Sequence, residues 1–85
     1  MRLRDFKTLM ISRILYLKKT LMQKYPDQAD RINYITELLV VKTYNLRTFT
    51  LPDYLHTLYL ASKEFPEFEE IIPPHEIVEQ LLKEE

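Results

Sequence analysis

"LRDFKTLMISRILYLKKTLMQKYP", residues 3–26, decides how this chain folds. Leu3, Phe6, Met10, Ile14, Leu17 and Leu21 recur at steps of three and four, the period of an α-helix. The spacing predicts one helix over 3–25, about 33 Å long at ~1.5 Å per residue. Pro26 ends it, because proline disfavours helical backbone at the residue before it. Ile11, Leu15 and Met22 form a second apolar line, about 100° round from the first. Basic residues border the main stripe, with Arg2, Arg13 and Lys24 on one side and Arg4, Lys7 and Lys18 on the other.

Downstream, "PDQADRINYITELLVVKTYN" (26–45) predicts a second helix over 28–43. Asp27 is its expected N-cap, and Ile32, Ile35, Leu38 and Leu39 are its expected inner stripe. Tyr34, Val40 and Val41 add apolar atoms on other sides, which points to a central helix. The β-branched pair Val40–Val41 makes a strand the local alternative. Asn45 is the expected left-handed terminator.

A third helix is expected over 51–65. Thr50 is its cap, Asp53 completes a capping box, and Phe49 and Tyr54 form a hydrophobic staple. Leu51, Tyr54, Leu55, Leu58, Ala61 and Phe65 share its inner face. "PEFEEII" (66–72) reads as a connector with Phe68 and Ile72 as plugs. A short fourth helix follows over 74–84, turning Ile77, Val78, Leu81 and Leu82 inward. The fold class is therefore all-α: a small bundle of three main helices plus a short C-terminal fourth, in one domain spanning 1–85. Ile35, Leu39, Leu58 and Leu17 are the expected centre of its core.

Composition removes several functions. The 85 residues include no glycine, so a glycine-rich phosphate loop or dinucleotide turn is excluded. With no cysteine there is no disulfide, thiolate nucleophile or thiolate metal site. The longest apolar runs, 14–17 and 38–41, are far short of the ~20 residues of a membrane span. No membrane association and a cytoplasmic location are expected.

Candidate chemistry is thin. Asp53 and His56 lie one turn apart, as an aspartate orienting a catalytic histidine would, but no motif marks a nucleophile. His75 and Glu79 share a face and offer two ligands where zinc wants three or four. The expectation is no enzyme, no cofactor and no metal.

Charge is segregated along the chain. Residues 1–24 carry seven bases and one acid, and residues 64–85 carry one base and eight acids, within a formal net charge of −1. The bases flank an apolar stripe, as e and g positions flank a coiled-coil seam. The acidic fourth helix is therefore expected beside the basic first, with Glu76, Glu79 and Glu84 near Arg4, Lys7, Arg13 or Lys18. The surplus apolar line points to a small protein–protein interaction or regulatory module, of the kind found among accessory or phage-type regulators. Its candidate contact residues are Ile11, Leu15, Met22, Arg4, Lys7, Arg13 and Lys18, and its partner is another protein or a second copy in a homodimer. The alternative is a small helical nucleic-acid-binding protein that uses the basic first helix.

Overall fold

Residues 1–83 are described by a computed structural model. Four α-helices follow in chain order: α1 (Leu3–Lys24), α2 (Ala29–Tyr44), α3 (Leu51–Glu64) and α4 (His75–Lys83). Short 3-10 segments, Pro26–Gln28, Thr48–Thr50 and Pro66–Ile71, make the links, and no strand occurs among the described residues. The all-α architecture of three long helices and a short fourth is the one the periodicity predicts. Val40 and Val41 lie inside α2, so the strand alternative fails. Predicted and observed helix ends differ by a residue or two, the usual fraying margin, except that Glu84 lies outside the described residues.

The helices close differently from the way their sequence signals suggest. α2 and α3 are each entered through a 3-10 turn instead of a side-chain cap. Gln28, not Asp27, holds the N-cap of α2, and no side chain there makes a capping hydrogen bond. Thr50 does precede α3, but its Oγ1 accepts from the Arg47 backbone N–H at 2.9 Å, inside the preceding turn. Asp53 is drawn off to Lys42 Nζ at 2.6 Å, which dissolves the capping box. Phe49 is 81% exposed while Tyr54 is buried, so no staple forms. Asn45 ends α2 at φ −93°, and no described residue has positive φ. The 3-10 ending substitutes for the left-handed cap that a chain without glycine makes at a steric cost.

The core runs the length of α1, whose Phe6, Met10, Ile14, Leu17 and Leu21 are all buried. Ile32, Ile35 and Leu39 meet it from α2, and Leu51, Tyr54, Leu58 and Ala61 from α3. All four residues expected at its centre are buried. Phe65 and Phe68 close one end, with ring centroids 6.4 Å apart. Phe68 is the plug the sequence suggests, but Ile71, not Ile72, is its fully buried companion. At the other end Phe6 meets Tyr54 edge-on at 6.4 Å. Thr43 Oγ1 donates to the Leu39 carbonyl at 2.7 Å, so the buried Tyr54 hydroxyl donates to Thr43 Oγ1, also at 2.7 Å. Burial raises the Tyr54 pKa above its ordinary value, which keeps that donor protonated.

α4 docks beside the start of α1. Leu81 is buried, Ile77 and Val78 pack half-buried, and the N-terminal amine donates to Gln80 Oε1 at 2.9 Å. Leu82, expected inside, is exposed. Its acids do not answer the basic borders of α1. Glu79 pairs with His75 of its own helix, and no ion pair joins Glu76 or Glu79 to α1 among the described residues. Besides Asp53, the acids that pair across elements lie at the end of α3 and in the Pro66–Ile71 segment. Glu67 takes Lys24 at 2.6 Å, and Glu64 takes Arg31. Apolar contact, not charge, seats the fourth helix.

Candidate interaction surface

α1 and α2 form an antiparallel hairpin, held together by the 3-10 turn at one end. At the other end Lys7 Nζ donates to the Tyr44 carbonyl at 3.1 Å. A cation at the last carbonyls of α2 suits the helix dipole as well as the hydrogen bond. Desolvation, with the nearby Arg47 charge as a smaller contribution, holds the Lys7 pKa below its ordinary value. Lys7 is therefore engaged within the chain.

Between these two ties runs an open groove of about 290 Å³, walled by Leu15 and Lys18 of α1 and by Thr36, Glu37, Val40 and Val41 of α2. Leu15 stands 52% exposed on one wall and Val41 57% on the other. The apolar surface continues over α2. At 100° per residue Tyr34, Leu38 and Val41 fall within about 60° of one another, on the side away from Ile32, Ile35 and Leu39. Tyr34 is 58% exposed and Leu38 38%, with Tyr44 extending the same side. Arg31 lies over the Tyr34 ring at 5.3 Å while its guanidinium holds Glu64. That pair lowers the Glu64 carboxyl pKa and raises that of Arg31, each chiefly through the hydrogen bond between them.

The seven residues singled out from sequence separate into groups. Ile11, Leu15, Met22, Arg4, Lys7 and Lys18 lie toward the α2 side of α1 by helical geometry. Leu15 and Lys18 line the groove directly, and Ile11 and Met22 are half-buried. Arg13 is on the opposite border, beside Tyr16 and Glu70 in a separate hollow between α1 and the Pro66–Ile71 segment. Tyr34, Val41 and Glu37 are absent from those seven, and Leu38, expected on the inner stripe of α2, is exposed. The sequence signal was the 34–38–41 spacing, which counts as a second stripe opposite the first. Reading apolar residues on every side as the mark of a central helix was the error: the outer side of α2 faces water.

Other candidate chemistry does not assemble. Asp53 is paired with Lys42 while His56 faces solvent, so the two are not a relay. His75 Nε2 and Glu79 Oε1 meet at 2.8 Å on an exposed face, and no group of three such side chains gathers among the described residues. No described helix is long and apolar enough to cross a membrane. No protein family, curated protein or solved structure compared with this chain matches it.

Proposed function

We propose that this chain is a non-enzymatic protein–protein interaction or regulatory module whose working surface is the α1–α2 face. The observation that carries the reading is the outer side of α2. Tyr34, Leu38 and Val41 lie in line on the side of a helix where a self-sufficient bundle puts charged residues. Isolated exposed apolar residues are ordinary, but a stripe continuous with an apolar groove marks a contact surface. Tyrosine is suited to such a surface, since it offers rigid apolar area with a polar tip.

A nucleic-acid reading draws less support from the same geometry. Arg13 and Lys18 stand on opposite borders of α1, separated by the helix itself, and Lys7 is spent on the Tyr44 carbonyl. A phosphate-tracking surface collects its bases on one face.

Site-specific photo-crosslinking in cells that make the protein tests the reading. A photoreactive residue at Val41 gives protein adducts, whether with a second copy or with another protein. The same residue at the exposed His56 of α3 gives none. Adducts to nucleic acid alone, or equal labelling from both positions, would overturn the assignment.

A further inference from the structure

Lys18 and Glu37 face each other across the groove as opposite charges on opposite walls. Neither makes an ion pair within the chain among the described residues. Among the described residues Glu37 accepts only a long hydrogen bond, from Asn33 Nδ2 at 3.3 Å. Lys18 is half-buried, and Leu15 and Val40 share the groove lining with it.

We infer that the occupant of the α1–α2 groove is a second copy of this chain, related by a twofold axis that runs along the groove. The inference rests on the reading of this face as an interaction surface. The charge layout selects the occupant. A rotation of 180° about an axis along the groove exchanges the two walls and keeps every residue at its own level. Lys18 then meets Glu37 of the partner subunit, and Glu37 meets Lys18 of the partner subunit. Leu15 comes to lie against the Val40–Val41 wall in the same operation. The surface is thus its own complement in both charge and apolarity, as an isologous interface requires.

The direction of the axis follows from the same two residues. An axis lying across the helices would set α1 on α1 and α2 on α2, with lysine wall against lysine wall. Like charges brought together at an interface oppose association, whereas complementary ones fix register and partner. The favoured arrangement packs two hairpins side by side as four helices, each α1 against the α2 of the other copy. Such packing is the ordinary geometry of helical bundles. Tyr34 and Leu38 extend the contact beyond the groove on the α2 side.

A charge exchange tests both the occupant and the axis. Sedimentation or light scattering across a concentration series should give a dimer for the parent chain. Lys18→Glu alone and Glu37→Lys alone each place like charges in contact, and each should weaken the dimer by about tenfold or more. Mixing the two variants should restore association, because a heterodimer of Lys18→Glu with Glu37→Lys satisfies both pairs. Native mass spectrometry with one variant isotopically labelled identifies that heterodimer directly. Circular dichroism confirms that both variants fold; if either does not, Lys18→Gln with Glu37→Gln gives a milder pair that loses charge-dependent register without repulsion. Single variants that dimerise as well as the parent overturn the axis, because the crossed arrangement holds two like-charge contacts with or without either substitution. Failure of the mixture to recover overturns contact between the charged walls. A parent chain that stays monomeric at millimolar concentration overturns the second copy as occupant. In that case adducts from Val41 to a different protein would still uphold the interaction face, and their absence would remove the face as well.

Discussion

α4 turns Leu81 into the core, with Ile77 and Val78 half-buried beside it, and gives the solvent His75, Glu76, Glu79, Gln80 and Lys83. α2 turns Ile32, Ile35, Thr36, Leu39 and Thr43 inward and gives the solvent Tyr34, Leu38, Val41 and Tyr44 along with Arg31 and Glu37. Both helices satisfy the core. Only α4 also satisfies water, apart from the exposed Leu82. An apolar residue on a helix therefore has two separate meanings here, and burial in the single chain accounts for just one of them. On α4 the amphipathic pattern is nearly complete in itself. On α2 a second apolar side remains after the core is full, and this surplus is the basis for the proposed partner.

The largest expected effect separates the inner sides of these helices. Leu39 is fully buried at the meeting of α1, α2 and α3, so Leu39→Ala removes transfer free energy and leaves a cavity. A loss of about 2–5 kcal/mol is expected in denaturant melts. Leu81→Ala should cost less, about 1–3 kcal/mol. Its cost is limited by what docking α4 is worth, because a nine-residue helix released from its seat simply melts. Hydrogen exchange distinguishes the two outcomes. Leu39→Ala should lower protection throughout the bundle, and Leu81→Ala should lower it mainly in α4. Equal global loss from both would mean that α4 is part of the central cooperative unit, and the contrast drawn above would collapse.

Much of this organisation can be read from the residues before any coordinates. The inner stripe of α1, the four central core positions and the short fourth helix all follow from 3.6-residue periodicity, because burial of one helix face is a local pattern. Three things were not readable, each because it depends on distant groups. Asp53 looks like a capping residue in its own segment, but Lys42 from α2 comes within reach and takes it. The acidic segment looks like the mate of the basic helix, yet which acid meets which base is set by where Pro66–Ile71 crosses α1. Glu67 arrives at Lys24 while Glu76 and Glu79 point elsewhere. Most consequential is the outer side of α2. Tyr34, Leu38 and Val41 have the same chemistry as core residues, and their sequence gives no sign of how many neighbours the chain can supply. Of the candidate line Ile11–Leu15–Met22, only Leu15 is exposed in the groove, Met22 packs against the core, and the wall facing Leu15 belongs to α2.

A smaller effect concerns charge. The hydrogen bond from Lys24, with smaller help from Tyr25, holds the Glu67 carboxyl below the usual carboxylate range, and Lys24 is raised in turn. A lowered folded-state pKa means that the unfolded chain binds the proton more readily. The contribution of Glu67 is thus complete above its unfolded pKa, about 4.3, and is lost as pH falls through the folded value. Glu67→Gln should flatten the fall in stability between neutral and acid pH. The double change Glu76→Gln with Glu79→Gln should alter stability at neutral pH by no more than about 0.5 kcal/mol, since these side chains stand on the solvated side of α4. Urea melts at a series of pH values measure both. A larger response from the α4 pair would show that its acids are engaged with the rest of the fold, against the division between a docked apolar side and a solvated charged one.

The smallest expected effect on the isolated chain is the sharpest test of the two sides of α2. Val41→Ser acts on a residue more than half exposed, outside the buried core. At concentrations low enough to keep the chain monomeric, its stability should stay within about 0.5 kcal/mol of the parent. Association changes the comparison, because whatever binds only the folded state stabilises it by mass action. The parent should therefore melt at a higher temperature as its concentration rises, and Val41→Ser should show a much weaker dependence. Leu39→Ala provides the opposite pattern: lower stability at every concentration, with the concentration dependence kept while the chain remains folded. Thermal melts over a concentration series, followed by circular dichroism, resolve both the offset and the slope. A large offset for Val41→Ser in dilute solution would mean that the residue supports the monomer fold, and the outer side of α2 could no longer be counted as surplus. If the slopes of parent and variant coincide and both are positive, self-association runs through some other surface, and the charged groove walls have a different explanation.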